Sequence, residues 1–412
     1  MGIITDSVTP LQIGDTIPEY LWHLPLQVVN HPGGKETITL DEYRGKLIIL
    51  DFWATWCTAC IQSMPKAATI NHKYDDVNVI LATREQAAKA KGFFAKRVSD
   101  LTCNGLTSIV NDSLLADLFP HRLIPHVVWI DSAGRLSATT GAQELTAANV
   151  AAYLANGDAM PTSKIDIDTK QQLFLDRKAP LNQIQHYSIF LKGRIPGLPS
   201  GNIQRKTAGI TYGRAIMNFP LLMMYEVIVG KLAPEYNRKR LINQGIDNAL
   251  IDLPENLSEA EKDAWNDANL YTYEFNLPID RADALYRQML EDLNAKTGYY
   301  GRIEKRTTRC LMLVRTSDAD KLKAKGGPSV GVNFDGGPIA MKNNSLLHIV
   351  NLLNNRREID LPIIDSTGYQ GMVDLRLSGG LDIPSLRKDL NRYDLDLVEQ
   401  QIPLDVFVLS KN

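Results

Sequence analysis

Hydrophobic and polar positions follow two different patterns along the chain. In the first part, short apolar runs alternate with stretches of helical character. The run at 46–53 is almost continuously apolar, as expected for a strand buried on both faces. Further strands are predicted at 77–81 and 126–131, and a hairpin at 26–29 and 37–40. Helices are predicted over 57–74, 84–98 and 146–157, and Pro65 is expected to bend the first of them. Strands that alternate with helices predict an α/β domain.

The later part of the chain alternates with a period of two. Apolar and polar residues alternate through 271–277, the pattern of a strand with one buried face. We predict further strands at 299–307, 310–315, 373–377 and 406–409, a helix capped by Asp280 with Leu285, Met289 and Leu293 on one face, and helices through 346–353 and 386–390. This pattern predicts an α+β region with mostly antiparallel sheet. The segment 217–222 faintly resembles 341–347, which an old duplication and chance explain equally well.

A polar stretch containing Pro161 separates the two patterns. It predicts a first domain over 1–157, a linker over 158–170 and a second domain over 171–412 with room for two subdomains. All the obvious redox chemistry lies before residue 157. A fragment of residues 1–160 is therefore expected to fold and to act on its own.

Composition narrows the range of partners. The 412 residues include 45 basic and 47 acidic side chains, and the formal net charge of -2 argues against nucleic acid or an anionic membrane as the main partner. No apolar run approaches the length of a membrane span. The first residues also lack the basic and apolar segments of a secretory signal.

The candidate chemistry is concentrated in two cysteines, Cys57 and Cys60, between a buried strand and a predicted helix. Cysteines three residues apart at a helix N-terminus can close a small disulfide ring. The positive end of the helix dipole favours the thiolate of the first cysteine, which is the attacking species in thiol-disulfide exchange. The second cysteine can resolve the mixed disulfide. This pair needs no added cofactor.

Other sites are disfavoured by spacing. A zinc site would need a second Cys/His pair, and Ile61 after Cys60 excludes the C-x-x-C-H haem motif. No phosphate loop or metalloprotease motif is present, so neither a metal nor a cofactor is predicted. Cys103 and Cys310 are interpreted as small buried hydrophobic residues.

The segment 51–60, which reads D-F-W-A-T-W-C-T-A-C, resembles the thioredoxin superfamily and in particular its TlpA/ResA-like thiol-disulfide oxidoreductases. The resemblance covers about residues 10–157. It implies an α/β thioredoxin-like fold. It also implies that Asp51 moves a proton to or from Cys60, that Trp56 flanks the reactive pair and that Pro65 kinks the following helix.

The segment 124–127, which reads I-P-H-V, carries the same resemblance. It implies that Pro125 is a cis-proline lying against the disulfide and that the backbone of Ile124 pairs with an extended substrate. Two departures concern the reactive helix. Ser63 stands where many relatives have glutamate, and Thr58 and Ala59 replace the Gly-Pro of thioredoxin, so the reduction potential does not carry over.

The later part is similar, over about 185–410, to an uncharacterised domain family expanded in soil bacteria, which often reads R-P-V-V-D-x-T-G-L before a strand. The corresponding segment here is 361–369. No activity comes with this similarity. Asp365 and Thr367 fit a turn better than a site.

The sequence therefore predicts a thiol-disulfide oxidoreductase that acts on protein thiols and disulfides and needs an upstream electron donor. By resemblance it would work outside the cytoplasm, with an export signal or lipid anchor preceding Met1. Two alternatives stay open. One is a thiol peroxidase, although Ala54 stands where peroxiredoxins have threonine. The other is a redox-responsive binding protein whose later part recognises an unknown partner.

Overall fold

The computed structural model describes residues 8–96, 105–155, 161–175, 183–330 and 338–411. The chain divides into two compact units. The first unit comprises Met1–Leu175 with Ile195–Pro199, and the second comprises Asp176–Arg194 with Ser200–Asn412. Within the described ranges, no helix is long and apolar enough to cross a membrane.

The first unit is built on a seven-stranded sheet with the order β2-β1-β5-β4-β3-β6-β7. All six residues of the central strand β3 are buried. It pairs in parallel with β4 and antiparallel with β6. The predicted α/β thioredoxin-like fold is confirmed. The elements are α1 Glu19–His23, β1 Leu26–Val29, β2 Thr37–Ile38, β3 Leu47–Phe52, α2 Thr58–Lys73, β4 Val77–Ala82, α3 Ala87–Ala95, β5 Ser108–Ile109, α4 Leu114–Leu118, β6 His126–Ile130, β7 Leu136–Thr140 and α5 Ala147–Ala155.

Strand β3 separates two hydrophobic cores because successive side chains point to opposite faces of a sheet. Ile49 packs in the core that contains both cysteines of the pair. Leu50 and Phe52 pack in the core on the other face. Both faces need apolar residues, which is why this strand is a continuous run rather than an alternating one.

The predicted elements of this unit are present, but their ends differ. Helix α3 begins at Ala87 and its described part ends at Ala95, within the predicted 84–98. The second hairpin strand stops at Ile38, because a capping box between Thr39 and Glu42 starts a short helical turn there. Strand β5 and helices α1 and α4 have five residues or fewer, too few to establish a period.

The described part of the predicted linker continues along the first unit. The backbone nitrogen of Lys164 donates to the carbonyl of Thr139 on the edge strand β7 at 2.7 Å. The first compact unit includes the residues of this segment up to Leu175. A polar composition suggested a free connection, but Lys164, Asp166 and Asp168 form ion pairs within the unit.

The second unit has three sheets, ordered β8-β12-β10-β9, β11-β17-β13-β15 and β14-β16. Its α+β character agrees with the prediction, and most strand pairs are antiparallel. The elements are β8 Tyr187–Lys192, β9 Gly201–Thr207, β10 Ile210–Pro220, α6 Leu221–Leu232, β11 Leu241–Gln244, α7 Glu259–Asn269, β12 Leu270–Asn276, α8 Leu285–Thr297, β13 Tyr299–Arg315, β14 Ile339–Ser345, α9 Leu346–Asn354, β15 Ile363–Asp365, β16 Met372–Leu377, α10 Ile383–Leu390 and β17 Leu395–Lys411.

Three predictions for this unit are corrected. The strands expected at 299–307 and 310–315 are one strand, β13, paired along its whole length with β17. The closing strand begins at Leu395 rather than near residue 406. Asp280 does not cap the α-helix: it lies in a short 3₁₀ turn, and Ala284 occupies the N-cap position of α8.

An internal repeat organises the second unit. The order β10-α6-β11-β12-α8-β13, interrupted by α7, recurs as β14-α9-β15-β16-α10-β17. Strands β13 and β17 pair at the centre, with β15 parallel to the first and β11 parallel to the second. Asn218 and Asn343 occupy equivalent bulges with φ of 50° and 48°. Shared order, pairing and bulges favour duplication over chance for the two similar segments.

Candidate active site

The two cysteines lie at the junction between strand β3 and helix α2. Cys57 is the N-cap residue of α2 and Cys60 lies in its first turn. They form a disulfide with an S–S distance of 2.02 Å, and the backbone nitrogen of Cys60 donates to the Cys57 sulfur at 3.2 Å. Cys57 is 6% exposed and Cys60 is 1% exposed. Both cysteines are thus buried, and Cys57, the slightly more exposed residue, is also the one at the positive end of the helix dipole.

Asp51 lies on β3, one residue before the strand ends. Its side chain is 1% exposed, and neither carboxylate oxygen has a hydrogen-bond partner among the described residues. Burial raises the pKa of Asp51 from 3.8 to about 7. A carboxyl group with such a pKa can both accept and release a proton near neutral pH.

The loop from β3 to α2 is held by a residue that the sequence did not single out. The carboxylate of Glu85 accepts hydrogen bonds from the backbone nitrogen of Thr55 at 2.7 Å and from its hydroxyl at 3.0 Å. Lys89 pairs with the same carboxylate. Burial alone would raise the pKa of Glu85, but the hydrogen bonds from Lys89 and Thr55 lower it. Glu85 thus anchors the chain two residues before Cys57.

The residues around the cysteines differ sharply in exposure. Trp56 is 71% exposed, and Thr58 and Ala59 are also exposed on the first turn of α2. Ser63 is buried, and its hydroxyl donates to the carbonyl of Cys60 at 2.8 Å. Exposed residues therefore flank the buried Cys57 on both sides in the sequence.

A second loop reaches the same end of the sheet. Strand β6 begins at His126, which pairs with Phe52 at the end of β3. The residues just before it, Ile124 and Pro125, are joined by a cis peptide bond, as predicted. Ile124 is half-buried and packs against both cores of the unit. Because Phe52 is followed directly by the cysteine loop, topology brings the two loops to one edge of the sheet.

Two histidines beside this loop were not predicted. The rings of His121 and His126 stack with centroids 4.7 Å apart, and the ring of Phe52 lies 4.6 Å from that of His121. His126 is 4% exposed, and burial lowers its pKa from 6.5 to about 3. Its imidazole is therefore neutral at physiological pH.

The other candidate residues lie elsewhere. Cys310 is buried on β13, with its sulfur 3.7 Å from that of Met312, and burial raises its thiol pKa. Cys103 lies outside the described residues. The Asp365 carboxylate accepts from the Thr367 backbone nitrogen at 2.9 Å and from its hydroxyl at 2.7 Å, which is a local turn. In the described parts of the chain, no group of three or more histidine, cysteine or acidic residues is placed to hold a metal.

The first unit is similar in sequence to known protein families and proteins. A model described as the AhpC/TSA family matches residues 13–120. The thioredoxin-like protein YneN of Bacillus subtilis is 35% identical over 54 residues, which are 13% of this chain and 32% of that protein. The thiol-disulfide oxidoreductase ResA of Oceanobacillus iheyensis is 29% identical over 68 residues, 16% of this chain and 33% of that protein. The chain thus spans about a third of the length of these relatives.

Among solved structures, the thioredoxin domain of a thiol-disulfide oxidoreductase from Bacteroides vulgatus has a TM-score of 0.28 and 15% identity, and the alignment covers 35% of this chain and 99% of that one. The fold and the cysteine pair at the helix N-terminus define a thioredoxin-like domain. Within the first unit, residues 13–120 are similar to the AhpC/TSA family model, and shorter stretches are similar to thiol-disulfide oxidoreductases named ResA.

Proposed function

We propose that the protein is a thiol-disulfide oxidoreductase that reduces disulfides of other proteins. The observation that carries this proposal is the Cys57–Cys60 disulfide at the start of α2, with Cys57 at the N-cap position of the helix. The match to ResA, which bears the name of this activity, supports it. The reduced pair would be the active form, and an upstream dithiol donor would regenerate it.

In the first step the Cys57 thiolate attacks one sulfur of the substrate disulfide. A bond forms between Cys57 and that sulfur while the other substrate sulfur leaves as a thiolate and takes up a proton. Cys60 then attacks the Cys57 sulfur, which closes the intramolecular disulfide and releases the second substrate thiol. The substrate gains two electrons and two protons. Asp51 would accept the proton that Cys60 loses, because its raised pKa suits that transfer.

The substrate would approach between the two loops at the edge of the sheet. Exposed Trp56 and the first turn of α2 would form one side of the groove, with Thr58 and Ala59 beside Cys57. The Ile124–Pro125 loop would form the other side, and the backbone of Ile124 would pair with an extended substrate chain. Such main-chain pairing is tolerant of substrate sequence. It favours protein disulfides over small ones.

Trapping experiments test the assignment of the two cysteines. Cys57→Ser should abolish disulfide reduction without forming covalent adducts, because the attacking thiolate is gone. Cys60→Ser should also stop turnover, but after attack, so Cys57 remains joined to substrate. Non-reducing gels distinguish the two results. Cys310→Ala is the matched control, and it should keep turnover because it removes a thiol outside the pair.

Other results would contradict the proposal. Adducts on Cys57→Ser would reverse the roles of the cysteines. Adducts on neither variant would favour a binding protein instead. Rapid consumption of hydrogen peroxide by the reduced protein, with no reduction of insulin, would favour a thiol peroxidase.

We further propose an extracytoplasmic location, since such a pair reduces structural disulfides where they occur, in oxidising compartments. The second unit would serve as a binding module for an as yet unidentified protein. Fractionation of cells that express the natural gene tests the location. A cytosolic product would refute it.

A further inference from the structure

We propose that residues 164–168, here called the strap, hold the loop 120–125 in the conformation that pairs with a protein substrate. This inference rests on the proposed function and extends it. Asp166 is assigned as a positioning residue: it acts through the loop rather than on the reacting sulfurs. The strap follows the last helix of the thioredoxin-like fold and belongs to the first unit.

Three side chains of the strap bind the loop. One carboxylate oxygen of Asp166 accepts hydrogen bonds from the backbone nitrogens of Arg122 at 2.6 Å and Leu123 at 3.5 Å. The ammonium group of Lys164 donates to the carbonyl of Leu123. Asp168 forms an ion pair with the Arg122 guanidinium at 3.1 Å. Both polar backbone groups of Leu123, the residue just before Ile124, are therefore bound by charged side chains.

The strap is itself fixed to the unit at two further points. The backbone of Lys164 is bonded to edge strand β7 through Thr139, and the backbone nitrogen of Ile167 donates to Gly197 at 3.1 Å. Gly197 has a φ of +83°, and a Cβ there would lie 1.7 Å from the carbonyl oxygen of Ile165. Only glycine allows this close approach. An anchored strap can restrain the loop, whereas a free one would move with it.

Because the charged side chains of the strap are largely buried, they favour the arrangement in which they stay paired with each other and with the loop. The side chain of Lys164 is 9% exposed and forms an ion pair with Asp166 at 3.0 Å. Separating the two charges would leave each of them poorly solvated, which is costly. Movement of the loop away from the strap would also leave the backbone groups of Leu123 without these partners.

A cavity of about 260 Å³ borders both segments, and Pro120 of the loop lines it together with Lys164 and Asp166 of the strap. The loop also packs through its side chains, since Ile124 contacts both cores of the unit. The charged groups of the strap add a restraint on the loop backbone itself. It acts beside Ile124, where the proposed substrate strand would pair.

The test compares two disulfides on the full-length protein. Asp166→Asn removes the charge, and the double variant Lys164→Met with Asp166→Asn removes both charges, so that no unpaired lysine remains buried. Asp41→Asn, which breaks an exposed ion pair with Arg44, is the matched control. Rates are measured with insulin, which can pair with the Ile124 backbone, and with hydroxyethyl disulfide, which is too small to do so.

We expect both Asp166 variants to raise the apparent KM for insulin about tenfold, the scale of losing a charge-assisted hydrogen bond. Rates with hydroxyethyl disulfide and the equilibrium of the cysteine pair with glutathione should match those of the wild type and of Asp41→Asn. If the Asp166 variants lose the same rate with both disulfides, or lose none with either, the proposed role of the strap is refuted. A wild-type protein that reduces neither disulfide would instead refute the proposed function.

Discussion

The buried carboxyl group of Asp51 gives the sharpest prediction for stability. Replacement by asparagine keeps the shape of the side chain and removes its charge. The raised pKa means that the folded protein binds the proton more tightly than the unfolded chain does. The favourable contribution of the protonated group is complete below pH 3.8 and is lost as the pH rises through about 7.

The magnitude follows from the pKa. One pKa unit corresponds to about 1.4 kcal/mol, so a rise from 3.8 to about 7 costs the folded state about 4 kcal/mol once Asp51 is ionised. The stability gained by Asp51→Asn should therefore grow from under about 1 kcal/mol near pH 4 to about 4 kcal/mol near pH 8. The side chain is 1% exposed, so solvent screening does not reduce this effect.

Urea unfolding of the disulfide form, measured near both pH values, checks this prediction. Asp41→Asn, which removes the charge of an exposed carboxylate, is the matched control. A gain for Asp51→Asn that is the same at both pH values would refute the reasoning, because the ionised carboxylate would then carry no penalty. The same variant should slow turnover if Asp51 accepts the proton of Cys60.

Three further predictions concern residues around the cysteine pair. Trp56→Ala should raise the apparent KM for insulin several-fold while changing stability by less than about 0.5 kcal/mol, because the ring is exposed; steady-state rates and urea unfolding check both effects. Glu85→Gln should lower the free energy of unfolding in urea by about 1–2 kcal/mol, because Thr55 loses its charged hydrogen-bond partner. An unchanged urea midpoint would show that Glu85 does not anchor this loop. His126→Phe should stabilise the protein by about 3 kcal/mol more near pH 4 than near pH 7.5, because only the unfolded chain takes up the proton between pH 6.5 and about 3. Equal urea midpoint changes at the two pH values would count against the last prediction.

The reactive pair was predictable because its determinants are local. Cys57 and Cys60 are three residues apart, and the strand before them and the helix after them are visible as patterns in the sequence. The anchoring residues are different. Glu85 lies 30 residues from Thr55, and Asp166 lies 44 residues from Arg122. Neither spacing follows a helical or strand period, so only the folded chain reveals these contacts.

The sequence pattern locates the long strand β13 of the second unit but divides it into two strands. Strand β13 has 17 residues, and the two predicted strands, 299–307 and 310–315, leave only Thr308 and Arg309 between them. Both of these residues are polar, as are most of the residues just before them. Pairing with β17 along its full length supplies the backbone hydrogen bonds there, so the strand continues without a buried face. The partners in β17 lie from 80 (Arg315 with Leu395) to 112 (Tyr299 with Lys411) positions later in the chain, so the pairing leaves no local signal.

The end of the redox unit is where local pattern and folded contacts disagree most. The last helix of the thioredoxin-like fold, α5, has described residues up to Ala155, and the sequence placed the domain boundary at 157. The described residues beyond it add no regular element to the first unit, yet Lys164 and Asp166 bind the loop beside Ile124. If the strap acts as proposed, a chain ended at residue 160 would keep the cysteine pair and lose the restraint on the substrate loop. The chemistry and its substrate preference would then be encoded by different segments, the first by a compact motif and the second by residues that composition alone assigns to a linker.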